Sequence, residues 1–516
     1  GTLYSSDYFY DLRDRIQQVR YPNDSELVAY HYDQGANLYA IDKRNDSRHT
    51  GYYIESIQYN EIGQRTRVDY GNNNVKRYFY DHETDKISQM RLYRNAPDGS
   101  IDVDSMSSDD VLLNFSYNYK RTGDISSIRD THFKTSDLIS EQTYEYDLLG
   151  RIKESHGFVP SGENYNRTFS FDNSHRLTRK TKDNGTVFRF GYKSNSHAVE
   201  RVEVDTPRGG TSSLFGGYNH RYDFTYDGFG NMQTVNTVNY KGAATNTRTY
   251  TFNSLNYLTA IDDTKFQMNF TYDHTGMRIK KQFSPKDSDG VLGVTKTTLY
   301  AFSNYVIKNG AVNKHISDGK YVFATKVNND SSQQYYYTQN HLGSTVMITD
   351  AGGEKVRKNL YTPFGETWVN EQYSSLDDSS ALETMYTGQI KDESGLYYYN
   401  ARYYDPKFGV FLSPDPAMDG INHYVYVKGN PIRYNDPTGL EVGEPQFTIE
   451  EAMRIVRAYD QDPAGQSVVN EYVDEQGNSH MDFIEPQRVR LARAFIREYS
   501  QSVGQPDDRS TSTVIN

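Results

Sequence analysis

Asp183-Asn184-Gly185-Thr186-Val187-Phe188-Arg189-Phe190-Gly191-Tyr192 reads as a tight turn feeding a strand. Asp-Asn-Gly is turn chemistry, and the three rings after it, Phe188, Phe190 and Tyr192, alternate with other residues so that all fall on one face. The same grammar recurs along the chain. An aromatic precedes Asp or Asn, a turn follows, and then a polar, β-rich run. Copies are Tyr59-Asn60-Glu61-Ile62-Gly63, Tyr146-Asp147-Leu148-Leu149-Gly150, Phe171-Asp172-Asn173-Ser174-His175, Tyr226-Asp227-Gly228-Phe229-Gly230, Phe252-Asn253-Ser254-Leu255-Asn256 and Tyr272-Asp273-His274-Thr275-Gly276. Tyr32-Asp33 and Tyr80-Asp81 are degenerate copies. The spacing is about 20–27 residues or a small multiple of it, which defines a hairpin repeat. In each unit the aromatic ends a strand and packs, and Asp or Asn turns the chain through side-chain-to-backbone bonds. The fifth position is Gly, Asn or His, the types that tolerate positive φ. One hairpin cannot bury its own face, so neighbours must stack into a continuous sheet. Helical periodicity is nearly absent before residue 440. A β-sandwich or propeller is the competing architecture, but propeller blades repeat at about 40–50 residues with other signatures.

Composition agrees. Hydrophobic residues are 35% of the 516, below the roughly 45–50% of ordinary globular chains. Yet there are 47 Tyr and 24 Phe, and disordered segments are poor in rings. Tyr suits a half-buried pleated surface, with its ring packed and its hydroxyl in water. The net charge of −12 argues against a nucleic-acid-binding body. With no Cys, disulfides and thiolate metal sites are excluded. No apolar run approaches the ~18–20 residues of a membrane span. Walker, HExxH and GxSxG motifs are missing, and none of the 13 His forms an HxH or HxxxH pair. The chain opens Gly1-Thr2-Leu3 with neither an initiating Met nor a signal segment, which predicts a fragment or processed product.

Between residues 335 and 440 a run of motifs stands in order: Tyr335-Tyr336-Tyr337-Thr338-Gln339-Asn340-His341-Leu342-Gly343-Ser344-Thr345, Tyr361-Thr362-Pro363-Phe364-Gly365-Glu366, Tyr386-Thr387-Gly388-Gln389, Gly395-Leu396-Tyr397-Tyr398-Tyr399-Asn400-Ala401-Arg402-Tyr403-Tyr404-Asp405-Pro406, Phe411-Leu412-Ser413-Pro414-Asp415-Pro416, Asn430-Pro431 and Asp436-Pro437-Thr438-Gly439-Leu440. With the repeats, these make residues 1–440 resemble the Rhs/YD-repeat proteins, and the segment from 335 on resembles the Rhs-associated core domain. The resemblance implies an all-β fold: a spiral of stacked YD-repeat β-hairpins forming a hollow shell, with a core plug domain and a short, mainly α C-terminal tail. The expected division is 1–330 for the hairpin shell, 331–440 for the core, and 441–516 for the variable tail. Relatives in this family include C components of insecticidal Tc toxins, Rhs effectors of bacterial secretion systems and the shells of animal teneurins. The Cys-rich modules of teneurin chains are absent here. The family's usual Arg after the glycine at 409 is Val410, which puts a contact near the plug in doubt. The length is short for a complete family shell. Further shell is expected upstream on the native chain or in a partner protein.

The resemblance further implies a function. The shell encloses a toxin segment and cuts its own chain after Leu440, at the bond to Glu441, by an aspartyl-protease-like mechanism. By motif the aspartates are Asp415 and Asp436, with Arg402 nearby in the core. No cofactor is required. The expected partners are the chain's own C-terminal segment and a further shell component, with secretion or cell-surface delivery in a bacterium. The chemistry fits the residue types. Two close carboxylates resist both being ionised, so one can act as base and the other as acid. Arg402 is expected to orient one carboxylate through a bidentate contact. Because the substrate is the same chain, a poor catalyst suffices for one turnover. On residue types alone Asp-Pro pairs are turn starters, as Asp405-Pro406 and Asp462-Pro463 are read here. Asp419 is a lesser candidate. A different class of function also fits: a teneurin-like extracellular recognition scaffold that does not cut, or a carbohydrate-binding surface of stacked Tyr faces.

After Leu440 the character changes. The last 76 residues hold three Tyr and no Lys, and their charge is seven Arg against fourteen acids. That balance argues against a nuclease groove. Helices are expected after the Thr448 cap and near Pro486, with a hairpin between them from Val468 to Phe483 turning at Gln476-Gly477-Asn478. Asp460, Asp462, Gly465 and Glu471 form a weak calcium-loop candidate, compromised by Pro463 and Ala464 inside the loop.

Overall fold

A computed structural model describes residues 4–22, 24, 26–45, 48–94, 107, 110–160, 162–207, 219–375, 380, 382–417 and 422–440, together with the backbone of two strands between 468 and 484. The chain divides into two compact units. One comprises Gly1–Gly71, Asp318–Lys320 and Gln446–Asn516; the other comprises Asn72–Ser317 and Tyr321–Pro445.

In the first unit, six strands run from Asp7–Tyr10 to Arg65–Tyr70, each antiparallel to the next in sequence. Val19, Tyr21, Val28, Ile41, Tyr53 and Ile54 are buried. The tail hairpin expected from the sequence is present as Val468–Val473 paired with Ser479–Ile484. The expected tail helices and the residues Asp460, Asp462 and Gly465 lie outside the described residues, as do Glu441 and Asp419. Glu471 falls in the first strand of the pair.

In the second unit the meander runs from Val75–Tyr80 to Thr367–Gln372, again with each strand antiparallel to its successor. Strand Val187–Tyr192 shows how the pattern works: Phe188 and Phe190 are buried while Arg189 and Gly191, which alternate with them, are exposed. The turns are built as their residue types require. Asp147 Oδ1 accepts from the backbone N–H of Leu149 at 2.9 Å and of Arg151 at 3.0 Å. The fifth position is left-handed whether it holds Gly150, His175 or Asn256, with φ of 75°, 57° and 62°.

One expectation is revised. The repeat tyrosines do not leave their hydroxyls simply in water. Tyr119 donates to the Ile87 carbonyl and Tyr146 to the Ile125 carbonyl, each at 2.7 Å; Tyr226 donates to Val199 at 2.8 Å and Tyr272 to Leu258 at 2.6 Å. In each case the acceptor lies on an earlier hairpin, so the hydroxyl joins neighbours in the series. The arginine after the turn does the same. Arg151 stacks on Phe171, 5.0 Å from the ring centroid, and donates to the Asp172 carbonyl. Ring and cation attract through the ring quadrupole.

After Gln372 the chain leaves the meander and forms a small four-stranded sheet, Ile390–Lys391, Tyr397–Tyr398, Tyr403–Asp405 and Val410–Phe411. Tyr397, Tyr399, Tyr404, Phe411 and Tyr426 are almost wholly buried there. Tyr404 and Tyr426 pack with centroids 4.6 Å apart. Val410, where the family favours Arg, is buried opposite Asp405 and bridges to Val425. This core is tied to the hairpins by polar contacts. Asn430 donates to the Gly150 carbonyl at 2.7 Å. Asp392 and Arg278, both sealed from solvent, pair at 2.5 Å, with Lys281 at 3.1 Å on the other carboxylate oxygen. Ions taken out of water need such partners.

Candidate functional site

Arg402 enters the site from the start of strand Tyr403–Asp405. The Tyr399 N–H donates to its carbonyl at 2.9 Å, closing the tight loop through Asn400. Its guanidinium lies on the Phe411 ring, 3.7 Å from the centroid, where a cation is attracted and shielded from water. The rest of the guanidinium is occupied by oxygens. Nε donates to the Gly439 carbonyl and Nη1 to the His423 carbonyl. Nη2 lies 3.3 Å from Asp415 Oδ2 and 3.1 Å from Asp436 Oδ2. Burial depresses the Arg402 pKa, while Asp436 and Asp415 oppose that shift.

The three residues singled out in the sequence thus meet at one nitrogen. All are buried: 4% exposed for Arg402, 7% for Asp415 and 1% for Asp436. The arrangement differs from the expected bidentate clamp on a single carboxylate, because Nη2 is shared between two. The cause lies in the backbone, since the other two guanidinium nitrogens are taken by main-chain carbonyls.

Asp436 is also a turn residue. Its Oδ1 accepts from the N–H of Gly439 at 2.7 Å and of Leu440 at 3.1 Å. The segment leading to Leu440 is strapped down through its main-chain carbonyls. Gln389 Nε2 donates to the Pro437 carbonyl at 2.9 Å, and the Ala401 N–H to the Thr438 carbonyl at 3.1 Å. Gly439 has φ of 80°, and a Cβ there would sit 2.5 Å from the Tyr399 carbonyl oxygen. Asp415 is held from the other side. Its N–H donates to the His423 carbonyl at 2.9 Å, and its Oδ1 accepts from the Ala417 N–H at 2.9 Å. Asp405, read as a turn residue, accepts from the Lys407 N–H at 2.8 Å in the way that reading requires. The site therefore places two carboxylates and a cation around the turn that ends at Leu440, with the Leu440 N–H bonded to one of them. Paired buried carboxylates are groups of the kind that give and take protons.

Sequence reasoning did not find Phe411, the His423 carbonyl or Gln389. Phe411 and Gln389 both stand in the ordered motifs, with nothing local to mark their roles. A carbonyl contact carries no side-chain signature.

A long antiparallel hairpin meander, followed by a tyrosine-packed core that ends in a buried Asp–Arg–Asp cluster, defines a YD-repeat shell protein. The teneurin YD-shell family model matches residues 85–438, well over half of the chain, and the chain belongs to that family. The tRNA nuclease WapA of Bacillus subtilis is 32% identical over 258 residues, which is 42% of this chain and 11% of that protein. Toxin subunit YenC1 of Yersinia entomophaga is 24% identical over 76% of this chain and 42% of its own length. The structure of the Photorhabdus luminescens Tc holotoxin pore shares the fold with a TM-score of 0.65 at 20% identity, over 85% of this chain and 21% of that one. The chain therefore spans less than half the length of these relatives. Among the described residues no helix is long and apolar enough to cross a membrane.

Proposed function

We propose that this chain is shell and core of a bacterial toxin, enclosing a C-terminal segment that it separates from itself by one aspartate-dependent cut between Leu440 and Glu441. The observation that carries the reading is the convergence of Asp415 and Asp436 on Arg402 Nη2 with the Leu440 N–H on Asp436. In the reaction, a water oxygen bonds to the Leu440 carbonyl carbon and one carboxylate takes the water proton. The other, protonated, gives its proton to the Glu441 nitrogen as the C–N bond breaks. Arg402 holds the two side chains in place. The cut happens once per chain and needs no cofactor. Relatives named as a toxin subunit and a nuclease support a toxin role for the segment beyond residue 440. The length of those relatives supports a further shell component, on the native chain or in a partner. Delivery outside the producing cell follows from that role.

Intact mass under denaturing conditions tests the reading, with wild type beside Asp436→Asn. Wild type is expected as two species, residues up to Leu440 and residues from Glu441, and the variant as one species of 59.4 kDa. A single uncut species in both overturns the cut and leaves a non-cleaving scaffold.

A further inference from the structure

The half of the site that carries Asp415 is not supported by the core alone. The turn Tyr226–Met232, more than 180 residues upstream, docks directly on it. The Met232 N–H donates to the Leu412 carbonyl at 2.8 Å. The Tyr424 hydroxyl donates to the Gly230 carbonyl at 2.7 Å. The Tyr226 ring meets the Tyr424 ring edge-on, with centroids 6.0 Å apart. Gly230 is packed so closely that a Cβ there would lie 2.7 Å from the Tyr424 hydroxyl and 3.4 Å from Pro414 Cγ. These contacts fall on residues 412, 414 and 424, which bracket Asp415 and adjoin His423. The His423 carbonyl in turn holds both the Asp415 N–H and Arg402 Nη1. On the Asp436 side the segment Pro437–Gly439 is strapped by Gln389, Ala401 and Arg402 of the core, and the hairpin contacts fall further back in sequence, on Asn430 and Arg433.

We infer that the hairpin turn Tyr226–Met232, acting through Tyr424, is a positioning element for Asp415, so that the site is completed only when this hairpin has folded against the core. The inference rests on the proposed cut. It makes the cut a late event: a chain whose core has collapsed without this hairpin holds Asp436 in place but not Asp415. Main-chain misplacement of about 1 Å is enough to slow a reaction that depends on aligned groups. Such an order would keep the tail attached until the hairpin series is in place.

The test uses the full chain. The rate of appearance of the cut product is followed by intact mass from pH 4 to 8 in wild type, Tyr424→Phe, Gly230→Ala and Asp436→Asn, with Tyr119→Phe as control. Tyr119 donates to Ile87 on another hairpin. Unfolding midpoints are measured beside the rates. Tyr424→Phe is expected to cut roughly tenfold more slowly, with a shifted pH–rate profile, because the Arg402–Asp415 geometry relaxes. Gly230→Ala should do the same more strongly, and Tyr119→Phe should cut like wild type. A variant that was merely less stable would keep the wild-type pH profile. If wild type cuts, Asp436→Asn does not, and Tyr424→Phe and Gly230→Ala both keep the wild-type rate and profile, the positioning role is overturned while the cut stands. If wild type does not cut, the proposed function fails and takes this inference with it.

Discussion

Two turns of this molecule use an aspartate and an arginine, and they use them differently. In the hairpin turn at Asp147, the carboxylate caps two backbone N–H groups with one oxygen and meets a single partner, Arg151, with the other, at 2.7 Å. In the turn that ends the core, Asp436 also caps two N–H groups with one oxygen and gives the other to an arginine. There the likeness stops. The side chain of Asp147 is 26% exposed and that of Asp436 is 2% exposed. Arg151 serves its own turn and the next hairpin, whereas Arg402 must serve two carboxylates at once. The hairpin motif is therefore a structural unit that water can repair, and the core version is a sealed charge cluster. The largest expected effects follow from that difference. Arg402→Gln leaves two buried carboxylates facing each other and should cost about 3–5 kcal/mol. Arg151→Gln should cost about 1–2 kcal/mol, the value of charge-assisted bonds in a wetter place. Urea unfolding of the two variants checks this. Equal losses would mean that the core cluster is no more demanding than an ordinary turn.

The glycines sharpen the same contrast. Gly150 and Gly439 have nearly equal φ, 75° and 80°. A Cβ on Gly150 meets nothing within 4 Å, but one on Gly439 meets the Tyr399 carbonyl oxygen at 2.5 Å and the Arg402 nitrogen at 3.1 Å. Gly150→Ala should cost about 1–2 kcal/mol, the strain of a left-handed non-glycine residue. Gly439→Ala should cost about 3 kcal/mol or more, because overpacking adds to the strain. It should also slow the proposed cut, since the Gly439 N–H is one of the bonds that hold Asp436. Thermal melts and cut rates of the two alanine variants are the measurements. A Gly439→Ala variant no weaker than Gly150→Ala would show that the Leu440 turn has room to move.

The hairpin series was legible because its rules are local. The aromatic, the Asp and the left-handed fifth residue act within a few positions, so Tyr146 to Gly150 announces its own turn. The ring alternation in Val187–Tyr192 likewise states its buried face. Residues 402, 415 and 436 could be named only by resemblance, because what unites them is long-range packing. Nothing local shows that Arg402 Nη2 will be shared, because its other nitrogens are claimed by carbonyls of residues 423 and 439. The tyrosine hydroxyls were misjudged for the same reason. Sequence shows that a ring is half-buried, but not that the Tyr146 hydroxyl reaches back to residue 125.

Those hydroxyls give the smallest expected effect and the finest probe of the contrast. Tyr146 and Tyr399 each lose one oxygen on change to Phe, with the ring kept. The Tyr146 hydroxyl donates to the Ile125 carbonyl from a half-buried site, so in Tyr146→Phe water can reach that carbonyl and the loss should be about 1 kcal/mol. Tyr399 is fully buried, and its hydroxyl links Thr387 Oγ1 at 2.8 Å to the Tyr426 hydroxyl at 3.1 Å. Removing it breaks the link between two groups that water cannot easily reach, so Tyr399→Phe should cost roughly 2 kcal/mol. Denaturant midpoints resolve a difference of that size. If the two variants fall together, the tyrosine core is wetter than its burial indicates. If they separate in the expected order, the core and the hairpins differ in how far their polar contacts depend on packing, and the Asp–Arg–Asp cluster sits in the part that tolerates least.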